Sequence, residues 1–228
     1  MSYCVSEQEL SSAFREALSD RLLQIDERAP IHCVEEFDAV QGRADYVLSP
    51  TEEGIVYSDI MKRISEGVGS PACALILSII AEERTIGLDQ LRLRAGLSLS
   101  TIERCVNSLE AADLIECGQL NGRINATDSL TIPLLELWGF ELKMKNWRRA
   151  MVQSLQFQTY CSLSFVVMPL PSPTMLSKIK EVYSRYNIGL ITMDHENIET
   201  VVRPKPSAHK SRTYYIYAIA SYLRRLKE

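Results

Sequence analysis

The sequence predicts an α/β protein built on a mixed sheet and interrupted by a smaller, mainly helical module. Two patterns along the chain and one in its charge lead there. Residues 137–168 read as strand, amphipathic helix and continuous apolar strand, the order of a right-handed parallel crossover. Residues 71–126 read as three helices followed by two short strands around a turn. The formal charge of −4 over 228 residues is unevenly spread: 1–70 carries −8, 71–130 carries −3 and 141–228 carries +8. A basic C-terminal third can meet phosphate while the acidic remainder balances it, so the acidic total does not exclude a nucleic-acid partner.

Composition narrows the class further. At 46% hydrophobic and 24% charged residues, the chain is neither disordered nor collagen-like. The longest apolar run, near 72–81, is too short to span a bilayer, so no membrane partner is expected. No basic start with a following apolar stretch and cleavage site marks a secretion signal. Cys4, Cys33, Cys73, Cys105, Cys117 and Cys161 are scattered with no CxxC spacing. Reduced thiols in a cytoplasmic protein fit that spacing better than a zinc site or a disulfide framework. His32, His195 and His209 show no ligand spacing.

Taken in chain order, a first helix is expected over 6–23. Ser6 followed by Glu9 is a capping-box pattern, and Leu10, Phe14, Ala17, Leu18 and Leu22 form one apolar stripe. Strands follow at 31–37 and 43–48, separated by a turn at Gln41-Gly42, and Ser49-Pro50 closes the pair. The middle then changes character. A strongly apolar helix over 71–83 leads to a short extended piece at Thr85, a short helix over 88–95, a turn at Gly96, and a longer helix to 112 capped by Ser98 or Ser100. Two small strands, 114–117 and 122–126, end the module. Helix, short helix, turn, longer helix and hairpin is winged helix-turn-helix order. Over about 70–128 the chain resembles the winged-helix modules of bacterial regulators, with Ile102, Val106 and Leu109 as the core stripe.

From 134 onward the alternation of α and β returns. A strand at 137–143 precedes a helix over 146–160 whose core face is Trp147, Ala150, Met151, Ser154 and Leu155. The run Ser164-Phe-Val-Val-Met is a buried central strand stopped by Pro169. A helix over 173–186, strands at 188–193 and 198–202, and a last helix over 211–226 complete the chain.

The residues that carry chemistry centre on Glu141-Leu142-Lys143. Side chains alternate along a strand, so Glu141 and Lys143 share one face while Leu142 enters the core. A carboxylate beside an ammonium suits metal-dependent phosphodiester hydrolysis. The carboxylate helps to hold Mg2+, bound water becomes a nucleophile, and the lysine orients it or offsets developing charge. A hard cation needs a second acid; Asp45, in the middle of the second strand, is the best candidate, with Asp38 as the rival. The other reading of Glu141 and Lys143 is a surface ion pair.

The stretch from Glu141 through Lys143, Trp147 and Gln153 to Tyr160, followed by Ser164-Phe-Val-Val-Met-Pro, resembles the restriction-endonuclease-like PD-(D/E)xK nuclease superfamily. The resemblance covers 6–50 and 136–220. It implies a restriction-endonuclease-like mixed sheet, Asp45 and Glu141 as metal ligands for Mg2+ (or Mn2+), and Lys143 as catalytic. It further implies Glu16 on the first helix and Gln153 as supporting catalytic residues. Ala44 stands where the family places proline before its aspartate. The 96 positions between Asp45 and Glu141 imply an insertion, which closure entropy permits because it grows slowly with loop length. The domains are therefore expected as 1–50 with 136–228, and an inserted winged-helix domain over 51–135.

DNA is the expected partner. Lys145, Arg148 and Arg149 cluster beside the proposed metal site. In the inserted module, Arg92, Arg94 and Arg123 suit phosphates, and Thr101 and Arg104 lie on the recognition helix. That module is itself acidic, so two alternatives stand beside a DNA-cutting enzyme. One is a catalytically inactive nuclease-fold regulator that binds DNA. The other is a winged-helix interaction module that makes a homodimer.

Overall fold

The computed structural model describes residues 6–19, 30–50, 58–118, 122–193 and 198–226. The chain forms two compact units, Met1–Ile55 with Glu136–Lys210, and Val56–Leu135 with Ser211–Glu228.

The first unit is a six-stranded mixed sheet. Its strands are β1 (Pro30–Asp38), β2 (Arg43–Pro50), β6 (Trp138–Leu142), β7 (Leu163–Pro169), β8 (Gly189–Met193) and β9 (Ile198–Val202), side by side in that order. β6, β7 and β8 run parallel, and β1, β2 and β9 pair antiparallel to their neighbours. Parallel neighbours need a crossover, and α6 (Trp147–Phe157) and α7 (Pro173–Arg185) supply the two. The apolar stripe of α1 (Glu7–Ser19) buries Leu10, Phe14 and Ala17 against Tyr46, Phe140, Leu142 and Phe165. Phe14 lies 5.1 Å from the Tyr46 ring and 5.2 Å from Phe140, and Phe140 stacks on Phe165 at 4.9 Å. The opposite face packs Trp147, Ala150, Ile179 and Tyr183 against Val166, Met168 and Leu190. Met151 and Leu155, expected in the core, are only partly buried there; Leu22 lies outside the described residues. The β1–β2 turn needs Gly42 at φ +80, where a Cβ would stand 2.5 Å from the Gln156 side chain.

The second unit joins α2 (Asp59–Gly67), α3 (Pro71–Glu83), α4 (Leu88–Ala95), α5 (Leu99–Ala111) and α8 (Arg212–Arg225) to a three-stranded antiparallel sheet. That sheet is β3 (Thr85–Gly87), β5 (Arg123–Ala126) and β4 (Ile115–Cys117), in that order. Gly96 closes α4 in the left-handed region at φ +64, and Ser98 caps α5 by accepting the Thr101 N–H. Ile102, Val106 and Leu109 are buried, as their spacing predicted.

Two features differ from the sequence reading. α2 was not anticipated: its nine residues hold only Ile60, Met61 and Ile64 as large apolar groups, too few for a periodic signal. The last helix belongs to the second unit rather than the first. Its side chains are buried almost all round, from Tyr215 to Leu223, and such a helix announces burial without naming the neighbour it packs on. There, Tyr215 accepts the Leu135 N–H, and Arg224 donates to the carbonyls of Ser65 and Val68 at the end of α2. Among the described residues no helix is long and apolar enough to cross a membrane.

Candidate active site

Pairing of β2 with β6 sets the site. Tyr46 lies opposite Phe140 and Val47 opposite Gly139, which places Asp45 opposite Glu141 on the neighbouring strand. Trp138, Phe140 and Leu142 fill the α1 side of the sheet. Gly139 and Glu141 therefore face the α6 side, and a Cβ on Gly139 would press on Phe157 and Cys161. The β2–β6 ladder ends here, and Asp45 Oδ2 accepts the Leu142 N–H at 2.6 Å. The Lys143 N–H extends the ladder to the Val167 carbonyl, and its ammonium stands 3.1 Å from Glu141 Oε1. Apart from that ion pair, the buried Glu141 oxygens have no hydrogen-bond partner among the described residues. Glu141 is 1% exposed, which excludes a surface ion pair. Asp38, the rival acid, is exposed at the turn end of β1, opposite Arg43.

Burial pushes the Glu141 carboxyl up to about 7; the facing Asp45 carboxylate adds to this and Lys143 opposes it. Burial also raises Asp45, against the Leu142 N–H and Lys143. For Lys143, burial pulls the ammonium down, but Glu141, Glu7 and Asp45 together hold it above its ordinary value. A buried carboxyl with so little hydrogen bonding is expensive to ionise. With the half-buried Asp45 carboxylate beside it, a cation there would relieve both.

The acid on α1 is not the expected one. Glu16 is solvent-exposed, nine positions beyond Glu7 and so on the opposite helix face. Glu7 takes that place: its Oε1 is 3.6 Å from Lys143 Nζ, and it lines a cavity of about 240 Å3 with Gln8, Ser11, Glu35, Glu36, Asp45, Tyr46 and Leu142. The sequence offers no signal that ranks Glu7 over Glu9 or Glu16, because the choice depends on which end of α1 overlies the end of β6. Glu36, opposite Asp45 in the β1–β2 register, holds φ +50 and pairs with Arg43. Strained backbone of this kind collects at functional sites.

Gln153 lies on α6 with its Oε1 buried and unpartnered. Lys145, Arg148 and Arg149 are exposed where β6 turns into α6, at the Glu141 end of the strand. Arg148 lies over the Trp147 ring at 4.5 Å, and the Arg149 N–H is held by Asn146 Oδ1. In the second unit, Arg92, Arg104 and Arg123 are exposed on α4, α5 and β5. Arg94 is engaged by Glu82 and Glu83, and the Thr101 hydroxyl by Ser98 at 2.8 Å.

Asp45 and Glu141 fit a hard divalent ion in chemistry and adjacency. Among the described residues, no group of three or more His, Cys, Asp or Glu side chains forms a metal set, so further ligands would be water or substrate oxygens, as Mg2+ commonly keeps. No protein-family model, curated protein or solved structure matches the chain.

Proposed function

We propose that the chain is a metal-dependent phosphodiesterase that cuts DNA, a restriction-endonuclease-like unit carrying an inserted winged helix-turn-helix. The observation that carries this reading is the meeting of Asp45, Glu141 and Lys143 at one end of β6, from strands 96 positions apart in sequence. Asp45 and Glu141 would hold Mg2+ or Mn2+, which supplies an activated water and draws charge from a phosphate oxygen. Lys143 directs its ammonium into the same space and offsets charge that develops on the scissile phosphate. Glu7 positions Lys143 from α1. Gln153 presents a buried amide oxygen that can accept a proton-bearing group. Lys145, Arg148 and Arg149 hold the DNA backbone next to the acids, which a salt-dependent affinity would report.

The order α3, α4, Gly96 turn, α5 and hairpin supports the winged helix-turn-helix, with Arg92, Arg104 and Arg123 open to phosphates. A cytoplasmic setting fits the scattered thiols. Nicking of supercoiled plasmid with Mn2+ tests the reading. Glu141→Ala and Lys143→Ala are expected to abolish it at least ~100-fold, and Arg94→Ala to leave it unchanged. The two-carboxylate donor set favours a second reading, a regulator that holds DNA without cutting it. Wild-type protein that retains DNA but never nicks it would establish that reading and overturn the first.

A further inference from the structure

The first unit carries a second basic surface away from the acid site. Residues 203–210 read Arg-Pro-Lys-Pro-Ser-Ala-His-Lys, and no acidic residue lies between Glu199 and Glu228. The segment is fastened at both ends. Asn187 sits in the left-handed region at φ +55, a conformation asparagine tolerates better than most side chains. From there its side chain bridges Lys205, accepting the Lys205 N–H at 2.7 Å and donating to the Lys205 carbonyl at 2.8 Å. The Ser207 and Lys210 N–H groups donate to the carbonyls of Ser162 and Gln158. The Lys210 ammonium donates to Gln158 Oε1 at 2.6 Å, and the Gln158 amide donates to the carbonyls of Tyr186 and Asn187. Gln158 is buried, so it anchors the strap from beneath.

Anchoring leaves the charges outward. Arg203, Lys205 and Lys210 are exposed, and among the described residues neither Arg203 nor Lys205 has a carboxylate partner. Two prolines and these anchors fix the backbone before any ligand arrives, which lowers the ordering cost of binding. Tyr186, whose carbonyl takes the Gln158 amide, is 46% exposed beside the strap. Cations on a fixed backbone with a bare aromatic alongside is the arrangement that holds a nucleic-acid strand. The exposed strap offers only proline and alanine as apolar groups, which argues against a lipid surface.

We propose that residues 203–210 with Tyr186 form a second nucleic-acid contact, in which Arg203 and Lys205 hold strand phosphates and Tyr186 stacks on a base. Ser162 precedes β7 and Glu141 pairs with Val166, so the strap lies about 13 Å along the sheet from the acids, at the opposite end of the strand. A strand reaching both contacts spans a few nucleotides. The inference rests on the reading of nucleic acid as partner, but not on catalysis.

The test is fluorescence anisotropy of a labelled single-stranded oligonucleotide over a salt series, in the full chain with Glu141→Gln as background. Arg203→Glu with Lys205→Glu is expected to weaken binding at least ~10-fold and to lower the slope of log Kd against log salt by about 1.4, at about 0.7 per phosphate on single strands. Tyr186→Ala is expected to weaken binding about tenfold with the slope unchanged. Arg203→Gln with Lys205→Gln repeats the first effect at smaller size should the reversal unfold the protein. Unchanged affinity on charge reversal overturns the strap while the nuclease reading stands on plasmid nicking. Strap-dependent binding without nicking keeps the strap and rejects catalysis. Wild-type protein that binds no oligonucleotide at low salt, or that binds phosphatidylserine vesicles in preference, overturns the proposal.

Discussion

In the second unit three arginines are tied into the fold by hydrogen bonds. Arg63 grips Asp113 and Ser129, Arg84 the carbonyls of Thr127 and Leu130, and Arg224 those of Ser65 and Val68. In the first unit Arg148, Arg149, Arg203 and Lys205 point outward, while the buried carboxyl of Glu141 has Lys143 alone for a partner among the described residues. Satisfied charges are architecture. A buried group left unsatisfied in an otherwise well-packed fold calls for a ligand or a chemical role. Counting charges by region found the basic third but could not separate these two uses, since Arg84 and Arg148 look alike in a sequence.

The largest expected stability effect breaks or keeps that contrast directly. Arg224→Ala removes two charge-assisted hydrogen bonds to α2 carbonyls at 2.9 and 2.8 Å and is expected to cost about 3 kcal/mol in urea unfolding. Arg148→Ala, on the exposed face, is expected to change stability by less than about 0.5 kcal/mol. Equal losses from the two would erase the distinction between the units.

Glu141 gives an effect of similar size and opposite sign. Its carboxyl is held up to about 7 in the folded chain, above its ordinary value, so the folded state binds the proton more tightly. The stability that this supplies is complete below about pH 4.5 and is lost as pH rises towards 7, staying absent above it. Glu141→Gln should match wild type at pH 4 and exceed it by about 3 kcal/mol at pH 8. At pH 8, Mn2+ should raise the melting temperature of wild type and leave that of Glu141→Gln unmoved. A wild-type stability that is flat from pH 4 to 8 would remove the buried, ionisable carboxyl from the account.

Arg94 sharpens the comparison from the weak side. It is 36% exposed and paired with Glu82 and Glu83, so Arg94→Ala is expected to cost only about 0.5–1 kcal/mol. DNA affinity should not change, because that guanidinium is already engaged. Reduced DNA affinity in Arg94→Ala with unchanged stability would return it to the phosphate contacts.

How much of this was legible depends on the distance over which each signal acts. Alternation along a single strand put Glu141 and Lys143 on one side and Leu142 in the core, and the structure pairs them so. The 3.6-residue stripe of Leu10, Phe14 and Ala17 likewise reads straight into burial. Asp45 was reachable because it stands in the middle of a strand that the sequence marks out by itself. Apart from α2, whose three apolar groups give no periodic signal, what failed was a relation between elements: which unit the last helix joins, and which end of α1 meets β6. These follow from packing geometry that no local period encodes.

Glu7 and Glu16 turn that last failure into the finest of the tests. Both are glutamates on α1, nine positions apart and on opposite faces, yet only Glu7 reaches Lys143, at 3.6 Å. Glu7 is 61% exposed, so its pair with Lys143 is screened and worth less than about 1 kcal/mol. Glu7→Gln should therefore slow plasmid nicking by no more than about fivefold, while Glu16→Gln leaves it unchanged. Because Glu7 acts by steering the ammonium, Glu7→Asp should recover part of the loss if the shorter carboxylate still faces Lys143. A larger loss from Glu16→Gln than from Glu7→Gln would show that the N-terminal helix presents its other face to the chemistry. That outcome would overturn the arrangement of the site while leaving Asp45 and Glu141 paired.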